Sequence, residues 1–74
     1  MSNWRTDSQI IAKASEISKN IFPNGFNIKQ MIEVGRAIHD GYHEDEITAE
    51  FINNMVVLTD SVNKYNSKIN INKN

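Results

Sequence analysis

Ile47-Thr48-Ala49-Glu50-Phe51-Ile52-Asn53-Asn54-Met55-Val56-Val57-Leu58-Thr59-Asp60-Ser61-Val62-Asn63-Lys64-Tyr65 is the stretch whose reading decides the fold. Its large apolar residues fall at Ile47, Phe51, Met55, Leu58, Val62 and Tyr65, spaced by fours and threes. That rhythm lines all of them along one stripe of an α-helix, whereas a strand needs strict alternation. No glycine or proline interrupts the run. A helix of this length is marginal by itself in water, so the stripe needs cover. Ala49, Ile52 and Val56 form a second, weaker stripe roughly 100–120° around the same helix.

Upstream, two shorter helices are expected. Thr6 and Gln9 have the spacing of a capping box, with Asp7 as an alternative cap. Ile10, Ala14, Ile17 and Ile21 then make a narrow stripe, flanked by Ile11 and Phe22. Pro23 disfavours helical geometry in the residue before it, and Asn24-Gly25 suits a tight turn, so helix one covers residues 7–22. Helix two starts at Asn27, with Gln30 completing a capping box and Phe26 and Met31 a hydrophobic staple. Its expected core face is Ile28, Met31, Ile32, Gly35, Ile38, His39 and Tyr42, with Lys29, Glu33, Arg36 and Asp40 facing water.

Gly35 costs roughly 1 kcal/mol against alanine in a helix interior, which close approach of a neighbouring helix would explain. Gly41 reads as the left-handed residue that ends the helix. His43 then caps helix three, and Glu44, Asp45 and Glu46 fill a first turn where negative charge complements the dipole. Trp4, ahead of helix one, is read as a lid on the bundle's end or an interface anchor.

The predicted fold class is therefore all-α. Short connections favour a small three-helix up-down-up bundle with a long C-terminal helix. Residues 1–66 make the single domain, and the polar stretch 67–74 reads as a flexible tail. Helix three, over residues 44–66, would be about 33 Å long against about 20 Å for helix two. The overhang leaves Val62 and Tyr65 uncovered, which predicts a homodimer through this helix.

Composition narrows the function. Seventy-four residues allow one domain with a modest core. The chain has no cysteine, which removes disulfide scaffolds, thiolate metal sites and cysteine nucleophiles, and fits a reducing cytoplasm. The first residues are polar and charged, without the apolar core of a signal peptide. The longest apolar run, Met55 to Leu58, is far too short to span a bilayer. Net charge is −1, which gives no general attraction to nucleic acid. Negative charge concentrates in residues 42–66, where Glu44, Asp45, Glu46, Glu50 and Asp60 face only Lys64. Isoleucine, asparagine and lysine are abundant, as in AT-rich genomes and their mobile elements.

Residues 39–46, reading His39-Asp40-Gly41-Tyr42-His43-Glu44-Asp45-Glu46, hold both histidines among four carboxylates. Imidazole and carboxylate together suit zinc or iron, and His39 and His43 are four apart. Gly41 between them ends the helix and takes away their common face, so no metal ligand or cofactor is assigned. No nucleophile elbow or glycine-rich phosphate loop occurs, and no catalytic residue is assigned. A helix-turn-helix DNA-binding regulator is the first alternative, with Asn53 and Asn54 as adenine readers, and a metal-dependent activity at His39 and His43 is the second. The acidic start of helix three and the lack of a basic stripe oppose the first. The sequence favours a small non-catalytic protein-binding module, a regulator or inhibitor of the phage or mobile-element type. Asp40, Glu44, Asp45, Glu50, Ile52 and Val56 are its expected partner-binding residues, and Val62 and Tyr65 its dimer contacts. The expected partners are a protein with a basic patch and a second copy; neither nucleic acid nor membrane is expected.

Overall fold

A computed structural model describes the backbone of residues 4–72 and the side chains of residues 4–66. A 3₁₀ turn, Trp4–Thr6, leads into α1, Ser8–Ile21. Helix α2 spans Ile28–His39, and a second 3₁₀ turn, Glu44–Glu46, precedes α3, Ala49–Asn72. No strand occurs among the described residues, so the chain is an all-α assembly of three helices.

Local chemistry sets each boundary. Asp7 caps α1, its Oδ1 accepting from the Gln9 and Ile10 amides at 2.9 and 3.4 Å. The cap is thus the carboxylate rather than the Thr6 hydroxyl, and its charge also suits the helix dipole. Phe22 closes α1, and the chain turns through Gly25 at φ +114°. At α2 the capping box forms as expected: Gln30 N–H donates to Asn27 Oδ1, and Asn27 N–H to Gln30 Oε1, both at 2.8 Å. The same helix ends at Gly41, φ +92°. Tyr42 N–H donates to Ala37 O and Gly41 N–H to Ile38 O, both at 3.1 Å, which is the Schellman arrangement.

Helix α3 begins later than the sequence suggests. The acids Glu44, Asp45 and Glu46 form their own 3₁₀ turn, closed by Ile47 N–H on Glu44 O at 3.1 Å. Ile47 then takes a non-helical conformation and drives its side chain into the core, 2% exposed. Thr48 caps the helix, its Oγ1 accepting from Phe51 N–H at 3.1 Å. The backbone stays helical through Asn72, past the expected end at Asn66. The side chains of 67–74 lie outside the described residues, and with them the expectation of a flexible tail.

The core gathers Ala14 and Ile17 of α1, Val34 and Ala37 of α2, Ile47, and Ile52 of α3. Phe22, Met31, Ile38, Phe51 and Val56 pack around it half-buried. The two alanines of this cluster, Ala14 and Ala37, carry only a methyl group to hold the helices apart. Helix α2 is the central element, with α1 on one side and α3 on another. It therefore buries more than one stripe. Glu33, expected to face water, is 4% exposed, whereas Ile28 is 70% exposed and His39 is exposed.

Helix α3 docks on that supposedly solvated side through polar pairs. Lys29 Nζ donates to Asp60 Oδ1 at 3.2 Å, and Gln30 Nε2 to Asn53 Oδ1 at 3.1 Å. The Thr59 hydroxyl donates to Glu33 Oε2 at 3.0 Å, and Arg36 Nη1 lies 3.6 Å from Glu33 Oε1. A buried carboxylate would be costly without such donors.

Candidate functional site

The rotation of α3 decides what it offers. Ile52, predicted as a partner contact, is fully buried and Val56 half-buried, because the weaker stripe is the one that packs inward. Burial of the Ile52 side chain contributes about 1.5–3 kcal/mol, and with Ile52 turned to the core Leu58 is left outward. Leu58, expected in the core, is 57% exposed. Val62 at 50% and Tyr65 at 65% follow on the same stripe. Val57 is also exposed.

The upper end of this stripe is anchored. Phe51 and Met55 are half-buried, and the Tyr42 ring lies 5.1 Å from that of Phe51, tilted by 50°. Such a tilted pair fixes both rings and adds to their burial. Tyr42 itself stays half-exposed, so the apolar strip runs from the α2 terminus down the outer face of α3. Length explains why its lower half is bare. At 1.5 Å per residue α3 measures about 36 Å and α2 about 18 Å, so α2 can cover only part of it.

Acidic residues sit at the upper end. Asp40, Glu44, Asp45, Glu46 and Glu50 are all exposed. Glu44 Oε1 is held by Lys13 Nζ at 3.0 Å, and Glu46 Oε1 accepts from the His43 amide at 2.9 Å. Asp40 Oδ1 lies 3.5 Å from His39 Nδ1. The expected partner residues Asp40, Glu44, Asp45 and Glu50 are therefore at the surface together with Val62 and Tyr65, and Ile52 is not. Among the described residues no three histidine, aspartate or glutamate side chains gather closely enough to hold a metal ion. Asn53, considered as a base reader, is engaged with Gln30.

A cleft of about 270 Å³ lies between α2 and α3, lined in part by Lys29, Glu33, Arg36, Val56 and Thr59. Glu33 Oε1, facing Arg36, accepts no hydrogen bond there. Sequence periodicity could not have found this feature, because Glu33 shares its turn with exposed charges and only the placement of α3 buries it. No helix among the described residues is long and apolar enough to cross a membrane. No family model matches the chain, and no curated protein or solved structure is significantly similar to it.

Proposed function

We propose that this chain is a small non-catalytic protein-binding module that acts through the outer face of α3 and the acidic turn before it. The observation that carries the reading is the bare stripe of Leu58, Val62 and Tyr65 on a helix that docks by its other side. An apolar strip with charge at its edge is the usual composition of a contact surface. The exposed acids favour a partner with a basic patch and speed their encounter. A regulator or inhibitor of the phage or mobile-element kind suits the size and composition, and the lack of cysteine suits action in the cytoplasm.

A second reading is self-association through Val62 and Tyr65, and the overhang of α3 past α2 favours it. The short connections support an up-down-up order of the helices, which would leave the far end of α3 free for this contact.

The test compares capture of proteins from a lysate of the source organism by the immobilised wild type, Leu58→Glu, and a triple variant Glu44→Gln, Asp45→Asn, Glu50→Gln. The reading expects a bound protein that is lost with Leu58→Glu and released by salt, with the triple variant less salt-sensitive. Equal capture by all three chains contradicts it.

A further inference from the structure

We infer that the cleft between α2 and α3 binds a free α-amino acid with a small apolar side chain, held between Glu33 and Arg36. The site lies on the side of α3 that docks on α2, away from the bare stripe, so it stands or falls independently of the contact face.

Glu33 is the first support. Its side chain is buried and lines the cleft. Oε2 accepts from the Thr59 hydroxyl at 3.0 Å, but Oε1 has no hydrogen-bond donor. A buried carboxylate oxygen left open costs free energy that a suitable donor recovers. The cation facing it is Arg36, whose Nη1 stands 3.6 Å away, too far for a hydrogen bond. The Arg36 guanidinium makes no hydrogen bond among the described residues. Its side chain is partly exposed, so it can turn outward and admit a ligand to Oε1. The pair offers an acceptor and a cationic donor that do not satisfy one another.

Charge defines the ligand. Lys29 and Asp60, also in the lining, are already paired with each other at 3.2 Å. Arg5 adds one more positive charge, so the cleft as a whole is positive and disfavours a simple cation. A molecule with an ammonium next to a carboxylate meets both demands. Its ammonium donates to Glu33 Oε1 and its carboxylate accepts from Arg36. Charges then alternate along the row, and one loose ion pair gives way to two charge-assisted hydrogen bonds. An ammonium alone would leave Arg36 unmatched, and a carboxylate alone would leave Oε1 open.

Size and lining supply the rest. The cleft, at about 270 Å³, falls just below the roughly 300–1,000 Å³ of sites for drug-sized molecules. Ile32 and Val56 give it an apolar wall, against which a side chain such as that of leucine loses its contact with water.

The test is a titration of the isotope-labelled, full-length chain with L-leucine, followed through its amide resonances. Saturable shifts are expected around Glu33, Arg36 and Thr59, with Val62 and Tyr65 unmoved. N-acetyl-leucine lacks the ammonium and leucinamide lacks the carboxylate. Each is expected to bind at least about tenfold more weakly, since each gives up a hydrogen bond between charged groups. Arg36→Met, once circular dichroism confirms its helix content, should lose leucine affinity by a similar factor without weakening leucinamide. Absence of saturable shifts up to the solubility limit of leucine overturns the site, as do shifts confined to the outer face of α3. Binding of either derivative as tightly as leucine overturns it too.

Discussion

The Trp4 indole lies directly against the bare backbone of Gly35, in the space that a Cβ at that position would occupy. The approach that Gly35 permits is therefore made by a ring from the N-terminal turn, not by a neighbouring helix. The turn gains a fixed seat on α2, and α2 tolerates a residue that weakens its interior. Arg5, next in sequence, has its guanidinium carbon 5.2 Å from the centre of the same ring.

Gly35→Ala tests this seat. Alanine improves helix propensity by about 1 kcal/mol, while overpacking costs about 1–3 kcal/mol. The net is therefore a loss of up to about 2 kcal/mol, and the ring has to leave. Trp4 is the chain's single tryptophan, so its fluorescence reports the event. A red-shifted emission is expected at nearly unchanged helix content, and an unshifted spectrum contradicts the packing.

Thr48→Ala removes the cap of α3 and should destabilise the chain by about 1 kcal/mol, while Thr48→Ser should retain most of it. The comparison is made by urea denaturation midpoints. Equal loss in both variants would mean that the methyl group, not the hydroxyl, matters at this position.

Thr59→Val takes the donor from the buried Glu33 carboxylate. Hydrogen bonds to charged groups contribute about 1.5–3 kcal/mol, so a loss of that order is expected. In a double-mutant cycle with Glu33→Met the two effects should fall short of additivity, because both variants remove the same bond. Additive losses would show that the pair does not interact.

Lys13 gives a pH dependence of known sign. The hydrogen bond from Lys13 to Glu44, the charge of Glu44 and then that of Glu16 raise its pKa above 10.5. A base with a raised folded pKa adds stability that is complete below the unfolded value and is lost as pH climbs through the folded one. Lys13→Met should therefore flatten the alkaline limb of the stability profile. The effect at this exposed pair is small and fades with salt. An unchanged alkaline limb at low salt contradicts it.

The parts of the fold fixed by neighbours in sequence were legible. Asn27 and Gln30 announce their capping box, and Pro23 and Gly41 mark where helices stop, because each acts within a turn or so of itself. What was not legible was which face each helix turns to its neighbours. Ile47 stands four residues before Phe51 and so looked like the first rung of α3, although it enters the core from a non-helical bend. Thr48 gives no distinct cap signal in the sequence, because the acids before it make an equally good helix start.

The broad apolar arc of α3 allows two inward faces, and periodicity cannot choose between Ile52 and Leu58. Tertiary packing chose Ile52, which withdrew one expected partner residue and exposed a core one. Glu33 was misplaced for the same reason, since a charged side chain is predicted inward only when its donor, here Thr59, can be located. Val62, Tyr65 and the acids at 40, 44, 45 and 50 are exposed, because α2 is too short to reach the former and the acids stand at helix ends.

The most direct test of the account is sedimentation equilibrium of the wild-type chain across a wide range of concentration, with Leu58→Glu alongside. The wild type is expected to approach twice the chain mass of 8.5 kDa as concentration rises, and Leu58→Glu to remain at the single-chain mass. A wild type that stays at 8.5 kDa at every concentration contradicts the proposed self-association through Val62 and Tyr65.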